Sequence, residues 1–410
     1  MTESAFEVPR LEGTAYGRPQ PTSDKLLIEV GPGTPCGEFM RRYWQPVRAS
    51  HNVTERPQQI RILGEDLILF RDKAGRPGLL YPHCMHRGTS LLYGHVEENG
   101  IRCCYHGWKF DVEGNCLDQP CEPKGGLNKA SARQPWYPVR EQYGVVWTYM
   151  GPPDKMPLLP KFEHMEELGP DERYYVLDNS FSAHADLNGP DVAPYSWLNI
   201  NDNNMDPFHV FYLHSNFGTT HFNDVAKILP RVEWEEMELG VIYKARRSLP
   251  DGREMLRILT WLTPNIAVNA GLTEGPGGHI SIFVPVDDNH VRAVNILKVG
   301  RDFVKPFADA GLANLKPWTE MTFEEHQDAP NDYEAQATLG PNGIPGHSQE
   351  HLVTSDKGIG LQRRVLRREI NKVMNGENPM NVAFEPGKEI FRVPSGNFFS
   401  KKESEKAVEV

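Results

Sequence analysis

The 410-residue chain has no uninterrupted apolar run near the roughly 20 residues that a membrane-spanning helix needs. It has no cationic surplus either: 44 Lys and Arg stand against 55 Asp and Glu, a formal charge of −11. A chain of that sign repels polyphosphates and anionic bilayers, so nucleic-acid and membrane partners are not expected. The stretch from Met1 to Gly13 lacks a basic segment followed by an apolar one. No export signal is expected, and the cytoplasm is the expected location. No glycine-rich fingerprint for a pyridine nucleotide or flavin stands out, so such cofactors would belong to a separate protein. Cysteine is scarce, six residues in all, yet five of them fall between positions 84 and 121. Clustering of that kind, without an export signal, reads as metal binding before disulfides. Cys36, Cys104, Cys116 and Cys121 are expected to be small buried residues.

Mean hydropathy is −0.53, and 36 Gly with 34 Pro point to a loop-rich, β-containing globular protein. At roughly 150 residues per domain, two domains are expected. Residues 1–25 read as a polar arm, and a short amphipathic helix is predicted over 36–43. Strand-like runs follow at Ile62–Phe70, Leu79–Tyr81, Ile101–Cys104, Trp108–Val112 and Val145–Tyr149, broken by turn signals. That spacing predicts a small all-β domain. Pro152, Pro153, Pro157 and Pro160 mark a linker, placing a boundary near 155 between units 1–155 and 156–410. The second unit mixes a helical segment at Asn199–His214 with strands at Val241–Ser248, Met255–Leu262, Ile266–Asn269 and Ile280–Val286. A long helix over 356–374 closes it, with Ser355 as N-cap and Gly376 past its end. The expected class is therefore α+β.

Within the first unit stand Cys84-x-His86 and, after sixteen intervening residues, Cys103-x-x-His106. A [2Fe–2S] cluster of the Rieske kind takes two thiolates on one iron and two imidazoles on the other. Two loops that each supply one Cys and one His can clasp it from opposite sides. The competing assignment is zinc, but Cys2His2 zinc sites usually group cysteines on one loop and histidines on another. His83 and His95 fall outside the spacing.

Cys84-Met-His86-Arg87-Gly88 and Cys103-Cys-Tyr105-His106-Gly107-Trp108-Lys-Phe110 resemble the Rieske signature of aromatic-ring-hydroxylating oxygenases. The stretches Glu29–Pro35, Arg41–Pro46 and Trp147–Pro153 resemble in particular the phthalate dioxygenase group. The resemblance extends across nearly the whole chain. It implies a terminal oxygenase (α) subunit, with an N-terminal all-β Rieske domain and an α+β helix-grip-like (START-type) catalytic domain. Met85, where the family commonly has Pro, and Cys104 depart from the pattern without removing a ligand.

A second metal is suggested by the run Asn203-Asn204-Met205-Asp206-Pro207-Phe208-His209-Val-Phe-Tyr-Leu-His214. Two histidines and a carboxylate with open positions form the facial set for non-haem Fe(II). The i, i+5 spacing of His209 and His214 misses one face of an ideal α-helix, which predicts a break or π-bulge between them. Asp206 lies three residues before His209, placed to accept a hydrogen bond from a ligating histidine.

The resemblance implies that Asp206 bridges this site to His106 or His86 of a neighbouring subunit, hence a head-to-tail trimer or stacked trimers. It implies Asp332 as the carboxylate ligand, in Asp332-Tyr-Glu-Ala-Gln336-Ala-Thr-Leu-Gly340-Pro341, with Asp328 as the alternative. Asn203 joins Asp206 as a candidate catalytic residue. Arg246 and Arg247, with Arg257 nearby, lie on strand-like stretches where phthalate-type relatives hold a substrate carboxylate. Guanidinium–carboxylate pairing suits that task. Asp202-Asn203-x-Met205-Asp206 is instead similar to aromatic O-demethylase monooxygenases.

The implied activity is O2-dependent hydroxylation, with cis-dihydroxylation first and O-demethylation as the alternative, of a phthalate- or benzoate-type acid. A Rieske electron carrier without oxygenase activity is the reading from another class. Electrons would come from an NADH-dependent reductase carrying flavin and a ferredoxin-type centre. Arg363, Arg364, Arg367 and Arg368 form a basic patch on the last helix, readable as a solvated face, a subunit contact or a docking site for that reductase.

Overall fold

The computed structural model describes residues 14–127, 129–178, 191–217, 225, 227–270, 274–302, 316 and 320–401. Two short helices open the described chain, α1 (Lys25–Ile28) and α2 (Pro35–Met40). The second stops three residues before the expected Tyr43. Its last backbone groups are met by Arg41, whose guanidinium also bonds to Val30 O and Leu63 O. A three-residue turn, 41–43, then leads into β1 (Trp44–Ala49).

Three small antiparallel sheets follow. The strands β2 (Gln58–Ile62), β3 (Glu65–Arg71) and β4 (Pro77–Leu80) form the second sheet. Cluster-side strands are β5 (His95–Glu97), β6 (Gly100–Arg102), β7 (Lys109–Phe110) and β8 (Cys116–Asp118), forming the third sheet. β9 (Trp136–Tyr137) completes the second as β2-β3-β4-β9, while β10 (Val139–Gln142) and β11 (Val145–Tyr149) join β1 as β1-β11-β10. The run expected as one strand, Ile62–Phe70, is in fact the turn and second arm of a hairpin. Leu63 and Gly64 take φ of 50° and 78°, the paired positive values that a tight hairpin turn requires. Leu63 is fully buried, which disguised the turn as strand interior.

Alternation along β3 divides its side chains between two cores. Leu67 and Leu69 enter the main core, whereas Ile68 and Phe70 join Leu80, Leu91, Ile101 and Phe110 beneath the loops that carry the cysteines.

The rest is a large antiparallel sheet gripping a long helix. After β12 (Lys161–Phe162) come β13 (Glu172–Leu177), α3 (Trp197–Asn204), β14 (Arg231–Met237), β15 (Gly240–Ser248), β16 (Arg253–Leu262), β17 (Ile266–Asn269), β18 (Gly275–Pro276), β19 (His279–Asp287) and β20 (His290–Gly300). The helices α4 (Phe323–Asp328), α5 (Asp332–Ala337) and α6 (Lys357–Met374) precede β21 (Ile390–Phe391) and β22 (Gly396–Lys401). Strand order is β13-β20-β19-β17-β16-β15-β14, with β22 added on β16. Buried positions 358, 362, 365, 366, 369, 370 and 373 give α6 one continuous stripe. It begins one residue later than expected: Asp356, not Ser355, is the N-cap, preceded by a tight turn at Thr354–Asp356. Gly376 follows its end with φ of 82°. Mixed sheet and helix behind an all-β unit is the expected α+β architecture.

The proline stretch contains a single tight turn at Pro153–Lys155. One core runs past it, from Leu27 and Phe39 through Trp147 to Trp197, Trp261 and Leu366. No described helix is long and apolar enough to cross a membrane.

Candidate metal centres

The first centre is carried by two loops, one after β4 and one between β6 and β7. They share a device. Gly88 N donates to Cys84 O at 2.8 Å, and Gly107 N donates to Cys103 O at 3.1 Å. Gly107 has φ of 72°, and a Cβ there would sit 2.7 Å from Pro120 Cγ, so no other residue fits without displacing the loop. The loops present Cys84 and Cys103, both buried and hydrogen-bonded to each other, and His86 and His106, whose ring centroids are 4.6 Å apart. His86 stacks flat on Trp108 at 4.4 Å. Burial, with Cys103 alongside, pushes the Cys84 thiol up to about 12. That burden is relieved when a metal binds the thiolate.

Geometry separates the two metal readings here. A single tetrahedral zinc would draw its four donors to within about 4 Å of one another. Among the described residues, no three of these four have donor atoms within 4.8 Å, whereas His209, His214 and Asp332 do. Two thiols paired with each other and two imidazoles paired with each other, with no three donors converging on one point, fit a two-metal cluster. Of the remaining cysteines, Cys36 is buried as expected, but Cys104 and Cys121 are exposed and Cys116 is intermediate. Cys121 Sγ lies 3.6 Å from His106 O.

The second centre is built on α3. Its buried polar residues are each committed. Asn199 Nδ2 donates to Gln336 O and Gly343 O, both at 2.9 Å, tying α3 to α5. One turn later, Asn203 Nδ2 donates to Asp332 Oδ1 at 3.0 Å. Asn201 Oδ1 accepts from Trp261 Nε1, and Asp202 pairs with buried Arg363 at 2.6 Å. Asp202 is thus part of a structural ion pair that also includes Glu350.

After α3 the chain breaks at Asp206-Pro207 and resumes as a π-helix, Val210–Phe217. That is the irregularity the i, i+5 spacing requires, since π turns close with i→i+5 bonds. His209 and His214 consequently face each other with ring centroids 5.2 Å apart. His214 Nε2 lies 3.3 Å from Asp332 Oδ2, and His209 Nε2 lies 3.7 Å from Asp332 Oδ1. Burial alone would raise the Asp332 carboxyl, but the His214 hydrogen bond, the charges of His209 and His214, and Asn203 bring it down to about 2.

Asp206 Oδ1 accepts from Phe208 N at 2.8 Å, and its backbone carbonyl takes a short hydrogen bond from His209 Nδ1. Its second carboxylate oxygen stands 3.8 Å from the same nitrogen. With Nδ1 donating to Asp206, Nε2 is the nitrogen turned toward Asp332 and the one that would ligate a metal. Asp328, at the end of α4, is exposed and outside this group. The donor set of two imidazoles and one carboxylate, at mutual metal-binding distances, fits mononuclear Fe(II).

Beside it lies a cavity of about 130 Å³ lined by Tyr243, Arg257, Leu259, Ser281, Phe283 and Asn295 as well as the metal residues. A cavity near 150 Å³ accepts one benzene. A polar row crosses its sheet wall: Asn269 Nδ2 donates to Ser281 Oγ at 3.0 Å, which donates to Asn295 Oδ1 at 2.6 Å. Asn295 Nδ2 is buried without a hydrogen-bond partner among the described residues. Arg257 Nη1 reaches Asn397 Oδ1 at 3.1 Å.

The other arginines lie elsewhere. Arg246 pairs with Glu254 at 3.2 Å, and buried Arg247 donates to Ile228 O. Neither lines this cavity. Arg257 and Asn295 are what sequence reading underweighted. Their signal is polarity on the cavity-facing positions of otherwise apolar strands. The basic patch on α6 is neutralised in place: Arg364 and Arg368 meet Glu236, Arg367 meets Asp24, and Arg363 is buried.

Residues 43–139 match the sequence family described as the Rieske [2Fe-2S] domain. The chain is 51% identical over 391 residues to the phenoxybenzoate dioxygenase subunit alpha of Ectopseudomonas oleovorans, spanning 95% of this chain and 94% of that one. It is 30% identical over 295 residues to the phthalate 4,5-dioxygenase oxygenase subunit of Pseudomonas putida, spanning 66% and 62%. The crystal structure of dicamba monooxygenase bound to dicamba shares the fold, with a TM-score of 0.61 at 17% identity over 83% of this chain and all of that one.

Proposed function

The chain belongs to the Rieske non-haem iron aromatic-ring-hydroxylating oxygenases, and on that premise we propose that it dihydroxylates an aromatic carboxylic acid of the substituted-benzoate type. It is an oxidoreductase whose two cofactors are a [2Fe–2S] cluster and mononuclear Fe(II). When bound, the cluster passes single electrons and the mononuclear iron activates O2, chemistry that no side chain supplies.

The observation that carries the reading is the convergence of His209, His214 and Asp332 on one edge of a ring-sized cavity whose wall bears Arg257. Cys84, His86, Cys103 and His106 hold the cluster, and His209, His214 and Asp332 hold the iron. Asn203 keeps the Asp332 carboxylate from rotating. Asp206 orients the His209 ring and, being partly exposed, is the residue through which a neighbouring subunit's cluster would be reached in a head-to-tail trimer. Arg257 takes the substrate carboxylate as a charge-assisted pair, and Leu259 and Phe283 pack the ring. Asn295 Nδ2 offers a donor to a second acceptor on the substrate. Electrons arrive from a reductase partner, NADH-dependent with flavin and a ferredoxin-type centre.

O-demethylation by the same iron is the second reading, carried by the Asp202-Asn203-x-Met205-Asp206 run, of which Asp202 itself is paired with Arg363. The test is NADH- and reductase-dependent O2 uptake with phenoxybenzoate, phthalate and substituted benzoates in 18O2. A cis-diol carrying two 18O atoms supports the reading. A phenol with formaldehyde release would replace it with demethylation.

A further inference from the structure

Gln134 belongs to neither metal-binding motif, yet its buried side chain makes three hydrogen bonds to the backbone of the first cluster loop. The reason lies in the neighbouring proline. β4 and β9 pair through Leu79↔Tyr137 and Leu80↔Trp136, and Tyr81 N donates to Pro135 O at 2.9 Å. Pro135 has no N–H to return, so the ladder cannot continue by backbone. The Gln134 side chain takes over. Nε2 donates to Tyr81 O at 2.8 Å and His83 O at 2.9 Å, and Oε1 accepts from Met85 N at 2.8 Å. Alternate peptide groups at 81, 83 and 85 are thus held as a partner strand would hold them.

The consequence reaches the sulfur. Cys84 Sγ accepts from the backbone N–H groups of His86 and Arg87. The intervening Met85 N–H is turned the other way, onto Gln134. Cys84 N is held separately by Thr89 O at 2.8 Å. Hydrogen bonds to cluster sulfurs favour the reduced, more negative state and so raise the potential.

We propose that Gln134 is a positioning residue for the cluster: by fixing the Met85 peptide it aims the His86 and Arg87 amides at Cys84 Sγ and thereby sets the reduction potential. The test uses isolated holoprotein and needs neither substrate nor mononuclear iron, so it stands apart from the proposed activity. Gln134→Met keeps the volume and removes all three bonds. The expected result is a variant with full cluster iron and sulfide, a lower midpoint potential, shifted EPR g-values, and cluster loss on warming several-fold faster than wild type. Unchanged potential and g-values overturn the proposal.

Wild-type hydrogen exchange at the Met85 amide is a second test that survives misfolding of the variant. Met85 is 40% exposed, and its amide donates to Gln134 Oε1. Protection comparable with the Cys84 amide supports the proposal, and exchange at the rate of an open loop overturns it.

Discussion

Asn203 Nδ2 lies 3.0 Å from Asp332 Oδ1, joining the last turn of α3 to the first residue of α5 across 129 positions of sequence. The carboxylate that completes the iron set is therefore aimed by a residue that cannot itself bind the metal. Partners of this kind usually contribute 10- to 100-fold in metal affinity. Asn203→Leu should weaken mononuclear iron binding by roughly that factor while leaving the cluster's EPR signal intact. Fe(II) titration of the variant checks this, and wild-type affinity would remove Asn203 from the site.

Asp206 acts on a different member of the set, His209. Its backbone carbonyl and its carboxylate both face His209 Nδ1, but only the carboxylate is lost in Asp206→Ala. That variant should bind both metals and stop electron transfer between them. In single turnover its reduced cluster should stay reduced on mixing with O2 and substrate. Rapid cluster reoxidation at the wild-type rate would show that Asp206 is not on the path.

Arg257→Leu should raise the KM for the aromatic acid by roughly 10- to 150-fold, from a charge-assisted hydrogen bond of about 1.5–3 kcal/mol. Arg246→Leu serves as the comparison. Its guanidinium pairs with Glu254, and Arg246 sits opposite Leu256 on the other face of the sheet from Arg257. Substrate KM should not change there. Equal effects at both positions would contradict the assignment.

Acid should loosen the cluster-bearing sheet before the rest. Hydrogen bonds from Arg102 and then Lys109 hold the Glu97 carboxyl down to about 2, against an ordinary 4.5. A depressed carboxyl stabilises the fold fully above its unfolded pKa, and that contribution fades as pH falls from about 4.5 toward 2. Arg102 also donates to Gly107 O in the second cluster loop, so the loss reaches the cluster. Melting temperature followed across this range should drop more steeply for wild type than for Glu97→Gln. Parallel curves would show the ion pair to be too well solvated to matter.

What sequence made legible follows from which constraints are local. Cys84, His86, Cys103 and His106 announce themselves because each loop must close within four residues on its own glycine. The five-residue step from His209 to His214 likewise predicted a break or π-bulge, which the structure supplies as a π-helix, since one metal cannot be reached from two faces of an α-helix. Asn203 and Asp332 met only through tertiary closure, and a resemblance rather than spacing pointed to Asp332. Which arginine lines the cavity was not legible, because one-residue alternation on β15 and β16 puts Arg257 and Arg246 on opposite faces. Gln134 gave no signal at all: a glutamine before a proline looks like loop filler until the ladder it completes is in view. Ser355 and Asp356 are equally good caps on paper, and the preceding tight turn at Thr354–Asp356 selected the second.

The central claim is that one chain carries two separate iron centres. Iron and acid-labile sulfide per chain, measured on anaerobically purified protein alongside EPR of the dithionite-reduced state, test it most directly. About three irons and two sulfides with a Rieske-type signal are predicted, falling to two irons and two sulfides in His209→Ala. Two irons in the wild-type protein, unchanged by added Fe(II), would leave an electron carrier and contradict the account.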